Sequence, residues 1–180
     1  MNENDMLTNK SELKVLVYKS NEFAIIPVKG SDGAAAVDLN ANLNLCENKF
    51  MCGAALHVDE ETDELILSIE PRGRVLIPTG LHMQIPKGYK ANVRPRSGLA
   101  LKHGITVLNT PGLIDEDYRG DVGVILINTS SKEYLIRDND RIAQLEIEKV
   151  IPFEFEEVSS LDHLTSTDRG EGGFGHTGNK

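Results

Sequence analysis

Apolar residues along this chain recur in short runs cut by turn residues, and the three-to-four spacing of long amphipathic helices is almost absent. Leu13 to Tyr18 is an apolar, β-prone run around Lys14, and Glu64 to Ile69 is a second short strand. Arg74 to Ile85 reads as a strand pair or one bent strand, with Pro78-Thr79-Gly80 as the break. Tyr89 to Arg94 is a strand that stops before Pro95, and Val122 to Asn128 reads as a buried strand. Glu146 to Val158 alternates in part, Pro152 marking an edge or a bend. Frequent short strands between turn signals predict an all-β sandwich or barrel. Ser97 to Gly104 is the one helical signal, with Ser97 as N-cap and Gly104 just past the last turn.

The chain of 180 residues is expected to form one domain with a tail, without staples. No window approaches the ~18 uninterrupted apolar residues of a membrane span. Met1 to Lys10 is polar and lacks the basic start and apolar run of a signal peptide, so a cytoplasmic protein is expected. Cys46 and Cys52 have no zinc-type partners at suitable spacing and read as two inert thiols. A net charge of −9 argues against a nucleic-acid groove but not against a nucleotide, which needs only a local cluster of donors.

Four segments carry groups that chemistry could use, and each admits a plain structural reading beside the functional one. Arg94-Pro95-Arg96-Ser97-Gly98 leads into the short helix: a guanidinium, a hydroxyl and a helix N-terminus make a phosphate cradle, or simply a capped helix with a surface Arg. Asn109 to Asp121 contains a Pro-Gly turn, then Asp115, Glu116, Asp117, Tyr118 and Asp121 ahead of a strand. Those acids can supply a general base or water-mediated metal contact, or form a solvated acidic hairpin. Asp38 stands among apolar residues in a strand, either buried with a partner or facing out on an edge. Asp168 to Gly178 has five glycines, Arg169 and Phe174, the composition of an arm that folds over a ligand or of a disordered tail.

Taken in order, these segments resemble the five motifs of the trimeric dUTPase family. Lys29 to Ala41 resembles the first, Pro95-Arg96-Ser97-Gly98-Leu99-Ala100 the second, and Asn109 to Asp121 the third. Arg141-Ile142-Ala143-Gln144-Leu145 resembles the fourth and Arg169 to Gly178 the fifth. One such match is weak; five in order across most of the chain are specific. The resemblance implies an all-β antiparallel jelly-roll, the β-clip type, over residues 1–162, with a flexible arm over 163–180. It further implies a homotrimer with active sites at subunit interfaces: motifs one, two and four from one subunit, motif three from a second, the arm from a third.

The implied reaction is hydrolysis of dUTP to dUMP and pyrophosphate by water attack on the α-phosphate. It would keep dUTP low and supply dUMP for thymidylate synthesis. Asp115 is the expected base and accepts from the sugar 3′-hydroxyl. Tyr118 packs under the deoxyribose, while Asn109, Gly112, Leu113 and Ile114 read the uracil edge. Arg96, Ser97, Gly98 and Gln144 hold phosphates. Arg169 clamps the γ-phosphate, Phe174 lies over the uracil, and Gly175, His176 and Thr177 add phosphate donors. Mg2+ is the implied cofactor, held by the phosphates and water, with Asp38 touching it through water only. Ala36-Val37 depart from the usual Gly and aromatic or aliphatic pair before Asp38, and His176 replaces a usual Ser. The segment near 42–70 is longer than typical and is expected to be an insertion, possible as an extra hairpin. Two other readings stand beside hydrolysis: a dCTP deaminase of the same fold, and a regulatory binding protein with a protein partner through 42–70.

Overall fold

In the computed structural model, which describes residues 13–173, the chain divides into two units, one ending at Val150 and one starting at Ile151. The first holds ten strands and one short helix: β1 Leu16–Lys19, β2 Val37–Asn40, β3 Met51–Val58, β4 Leu65–Gln84, β5 Tyr89–Arg94, α1 Ser97–His103, β6 Ile105–Val107, β7 Gly112–Ile114, β8 Asp121–Asn128, β9 Tyr134–Arg137 and β10 Arg141–Lys149. All named pairings are antiparallel. One sheet runs β1-β4-β8-β6, with β3 and β9 also paired to β4; the other runs β2-β10-β5-β7. This is the expected all-β antiparallel architecture.

The alternation along the strands puts the core between the sheets. In β8 every second residue is buried, and Val122, Val124 and Leu126 pack with Ile77 and Val75 of β4. From the other sheet come Leu39, Ala91, Val93, Ala143 and Leu145. Val122 to Asn128 is therefore buried on one face, with intermediate exposure on the other.

Three sequence expectations need correction. Residues 65–84 form one continuous strand, although Pro71-Arg72-Gly73 and Pro78-Thr79-Gly80 look like breaks. The irregularities are absorbed locally: Arg72 and Gly80 adopt φ of 65° and 70°, and the register against β8 shifts between Pro78 and His82. The strand expected over 146–158 ends at Lys149. The alternation of Ile151, Phe153 and Phe155 continues beyond it, but β10 finds its pairing partners only up to Lys149 opposite Tyr89. Ser97 is the first helical residue rather than the cap; extended Arg96 occupies that position, and no side chain caps the helix. Gly104 closes it in the left-handed region at φ 67°, donating its N–H to the Ala100 carbonyl.

Within 42–70, β3 and the start of β4 close a hairpin around the Asp59–Glu64 turn, where Asp59 Oδ1 accepts from the Glu61 and Thr62 N–H groups. Cys46 and Cys52 are both free. Burial and the nearby Asp138 charge push the Cys46 thiol up to about 12, so it stays protonated and unreactive at neutral pH.

The second unit has no strand among its described residues. Phe153 and Phe155 meet edge to face at 5.3 Å, and a single 3-10 turn covers Leu161–His163. Arg169 Nε donates to the Gly172 carbonyl at 2.7 Å. Phe174, Gly175, His176 and Thr177 lie outside the described residues. Among those described, no helix is long and apolar enough to cross a membrane.

Candidate active site

The first cluster forms where β2, β10 and the end of β5 lie side by side. Gln144 of β10 sits opposite Asp38 of β2 on one flank and Arg94 of β5 on the other. Neighbouring strands therefore bring together three residues from well-separated parts of the chain. The Asp38 carboxylate accepts from Arg96 Nε at 3.2 Å, Arg141 Nη1 at 3.1 Å and Gln144 Nε2 at 3.4 Å. Arg96 Nη1 also donates to the Arg141 carbonyl at 2.8 Å. Asp38 is therefore a paired carboxylate, three-quarters buried, as is Arg96.

Two guanidiniums share one carboxylate here, so the cluster keeps a net positive charge and spare donors. Beside it, α1 begins with no acid in its first turn and no side-chain cap. The N–H groups at Ser97 and Gly98 therefore point outward without an internal partner. Donors of this kind suit a polyanion. Arg94 pairs outside this cluster, its Nε held by Glu146 at 2.6 Å. A cleft of about 300 Å³ opens on this side, lined by Ile26, Gly30, Ala34, Asp38, Arg141 and Gln144 among others.

The second cluster is built on β7 and the loop after it. Gly112 is buried against Val93, and a Cβ there would meet the Asn109 amide at 3.3 Å, so Asn109 lies over the start of β7. Ile114 is buried, while Leu113, Asp115 and Tyr118 are exposed. Tyr118 turns back on its own loop: its N–H donates to the Asp115 carbonyl and its hydroxyl to the Asp121 carbonyl at 2.9 Å. Gly120 makes that possible, since a Cβ at 120 would lie 2.3 Å from the Tyr118 hydroxyl. A small cleft of about 150 Å³ is lined by Leu113, Ile114, Asp115, Tyr118 and Asp121.

Asp121 forms the floor of that cleft. Its Oδ1 accepts from the Thr79 N–H at 3.1 Å, and its Oδ2 is buried without a hydrogen-bond partner. Burial pushes its carboxyl above the usual range, outweighing the hydrogen bond from Thr79.

The expected site residues thus fall into separate groups. Asp38, Arg96 and Gln144 meet directly, with Ser97 and Gly98 at the adjoining helix start. Asn109, Gly112, Leu113, Ile114, Asp115 and Tyr118 form the other group, and the two clefts share no lining residue. Arg169 belongs to the second unit. Arg141 had no role assigned from the sequence, although it opens the same five-residue run as Gln144; its place in the cluster appears only with the strand register. Among the described residues no group of three or more His, Cys, Asp or Glu could hold a metal ion. The oxygens of Asp38 are already engaged by nitrogen donors, which fits contact with a hydrated ion better than direct ligation.

Known proteins resemble this chain in sequence and in fold. A family profile described as dUTPase matches residues 41–178. The deoxyuridine 5'-triphosphate nucleotidohydrolase of Clostridium novyi is 46% identical over 166 residues, covering 92% of this chain and 99% of that protein. The protein of the same name from Fusobacterium nucleatum is 43% identical over 169 residues, covering 94% and 98%. Among solved structures, the Staphylococcus bacteriophage 80alpha dUTPase with dUPNHPP superposes with a TM-score of 0.71 at 22% identity, covering 92% of this chain and 98% of that one. A mutant dUTPase from phage phi11 of S. aureus, described with a structural Mg(II) ion, gives 0.64 at 20% identity over 83% and 99%. At these identities the two structures speak to the fold.

Proposed function

The chain belongs to the dUTPase family, and from that premise we infer that it hydrolyses dUTP to dUMP and pyrophosphate. Water adds to the α-phosphorus, the bond from that phosphorus to the bridging oxygen breaks, and pyrophosphate leaves. Asp115 takes the proton of the attacking water and accepts from the 3′-hydroxyl. Tyr118 lies under the deoxyribose and leaves no room for a 2′-hydroxyl. Asn109 and the backbone of Gly112, Leu113 and Ile114 read the uracil edge, where an unmatched donor or a methyl group is rejected. Arg96, Ser97, Gly98 and Gln144 hold the phosphates, and we add Arg141 to that set.

Mg2+, when bound with the triphosphate, fixes its shape and neutralises charge on the leaving group. Asp38 reaches its water shell while keeping Arg96 and Arg141 in place. Arg169, Phe174, Gly175, His176 and Thr177 form the arm that closes over the nucleotide. We place the enzyme in the cytoplasm, where its substrate is made, with a jelly-roll over 1–162 and the arm over 163–180.

The observation that carries the assembly reading is that the two clefts have no lining residue in common. A triphosphate held at Arg96 and Arg141 has no cleft residue in common with Asp115 and Tyr118 of the same copy. A homotrimer, with the two clefts of neighbouring copies facing each other, supports one complete site per interface.

The test is pyrophosphate release from dUTP, UTP, dCTP and dTTP with Mg2+ present. Turnover of dUTP far above the other three is expected. Absence of dUTP turnover would refute the assignment, and ammonia release from dCTP would move it to the deaminases.

A further inference from the structure

Residues 115–120 form a surface loop in which Asp115, Asp117, Tyr118 and Arg119 are all exposed. Some of its hydrogen bonds are internal: Arg119 Nη1 donates to the Glu116 and Tyr118 carbonyls. Internal bonds shape a loop but do not place it on the frame. Three side-chain bonds do that, the first from the Tyr118 hydroxyl to the carbonyl of Asp121, the opening residue of β8. The Glu116 carboxylate accepts from the Gly88 N–H, and the His82 ring meets the Arg119 carbonyl at 2.8 Å through Nδ1.

His82 is well suited to hold a fixed point. It stands on β4 opposite Asp121, the first paired residue after the loop. The Tyr18 ring lies against it at 5.7 Å, and Ser20 Oγ is 2.9 Å from its Nε2. The partners decide the tautomer. A carbonyl only accepts, so Nδ1 carries the proton; Nε2 of the neutral ring then accepts from the Ser20 hydroxyl.

We propose that His82 is a positioning residue for the reaction. By donating from Nδ1 to the Arg119 carbonyl, it sets where Tyr118 and Asp115 stand against the sugar and the attacking water. This rests on the roles given to Asp115 and Tyr118 above. A displacement of about 1 Å in such groups costs on the order of a hundredfold in rate.

Three variants separate the two ring nitrogens. In His82→Asn the amide N–H falls where Nδ1 was, keeping the Arg119 bond and losing Ser20. In His82→Gln the amide reaches the Nε2 position, keeping Ser20 and losing Arg119. His82→Ala loses both. Expected is a fall in kcat/KM for dUTP of roughly tenfold to a hundredfold in His82→Ala and His82→Gln, with a parallel loss of dUTP-over-UTP selectivity. His82→Asn should recover both, whatever the order of the melting temperatures. Equal kinetics for His82→Asn and His82→Gln, or wild-type kinetics and selectivity in His82→Ala, would overturn the proposal. Crystal structures of the same variants give an arm independent of turnover: Tyr118 should be displaced in His82→Ala and His82→Gln and in place in His82→Asn. An undisplaced Tyr118 in His82→Ala overturns the positioning role even if the wild-type protein proves to have another substrate; a wild-type protein inert on dUTP refutes the functional assignment alone.

Discussion

Gly80→Ala strikes the bend of β4 on which the site's frame depends. Gly80 has φ of 70°, where a side chain costs about 1 kcal/mol. An added Cβ would lie 2.6 Å from the Asn42 Nδ2 and 2.9 Å from the Ala24 Cβ. Neither neighbour can withdraw easily. Asn42 is fully buried and bonded to Asn21 Oδ1 at 2.8 Å, and Ala24 is buried with its N–H on the same Asn21 oxygen. Overpacking of this kind costs roughly 1–3 kcal/mol more, so a total of about 2–4 kcal/mol is expected. For a domain of this size that lowers Tm by roughly 5–15 °C. Gly88→Ala is the control: its φ is 81°, but nothing lies within 4 Å of the added Cβ, so only the backbone cost of about 1 kcal/mol applies. Both are read by thermal and urea unfolding at one fixed protein concentration, since assembly makes Tm concentration-dependent. Equal losses in the two variants would show that the packing around Asn42 and Ala24 contributes nothing.

Three further outcomes are expected. Asp115→Asn should lower kcat by at least ~10²-fold while a non-hydrolysable dUTP analogue binds as before by calorimetry; a full rate would remove Asp115 as the base. Arg141→Ala should lower kcat/KM for dUTP roughly tenfold to a hundredfold, the worth of a charged hydrogen bond to phosphate, with little change in Tm because the Arg141 side chain is itself largely exposed. An unchanged kcat/KM would exclude Arg141 from the cradle. Asp121 has a raised pKa in the folded protein, so its contribution to stability is fully present below the ordinary carboxylate pKa and is lost as pH rises through the raised value. Asp121→Asn can keep the acceptor for Thr79 without that charge; it should gain stability over the wild type as pH rises from about 3 to 7 in urea titrations, and a pH-independent difference would refute the burial argument.

What could be read from the sequence depended on whether the cause was local. Tyr89–Arg94 and the short helix were legible because their signals lie within a few residues: apolar alternation ending at Pro95, and Gly104 at the helix end. β2, β6 and β7 have only three or four residues each, too few to show a period. Alternation past Lys149 told which side chains would share a face, not whether a strand would lie beside them. Asp38 shows the same limit from the other side. Its neighbours in the sequence are apolar, and its partners Arg96 and Arg141 come from β5's end and β10, so its pairing exists only in the register of three strands. His82 lies in no motif and Asp121 only closes the third; one is fixed by Arg119 and Ser20, the other by burial at the loop's base.

Subunit mixing tests most directly whether the phosphate cleft and the Asp115 cleft of one copy serve different active sites. Arg96→Ala and Asp115→Asn are each expected to be nearly inactive alone. Unfolded together in equal amounts and refolded, they should form trimers of which about three quarters are mixed, each with one interface that joins an intact Arg96 to an intact Asp115. Activity should then return to about a quarter of the wild-type value per protomer. A mixture no more active than its two components would contradict the shared site and place the whole site within a single chain.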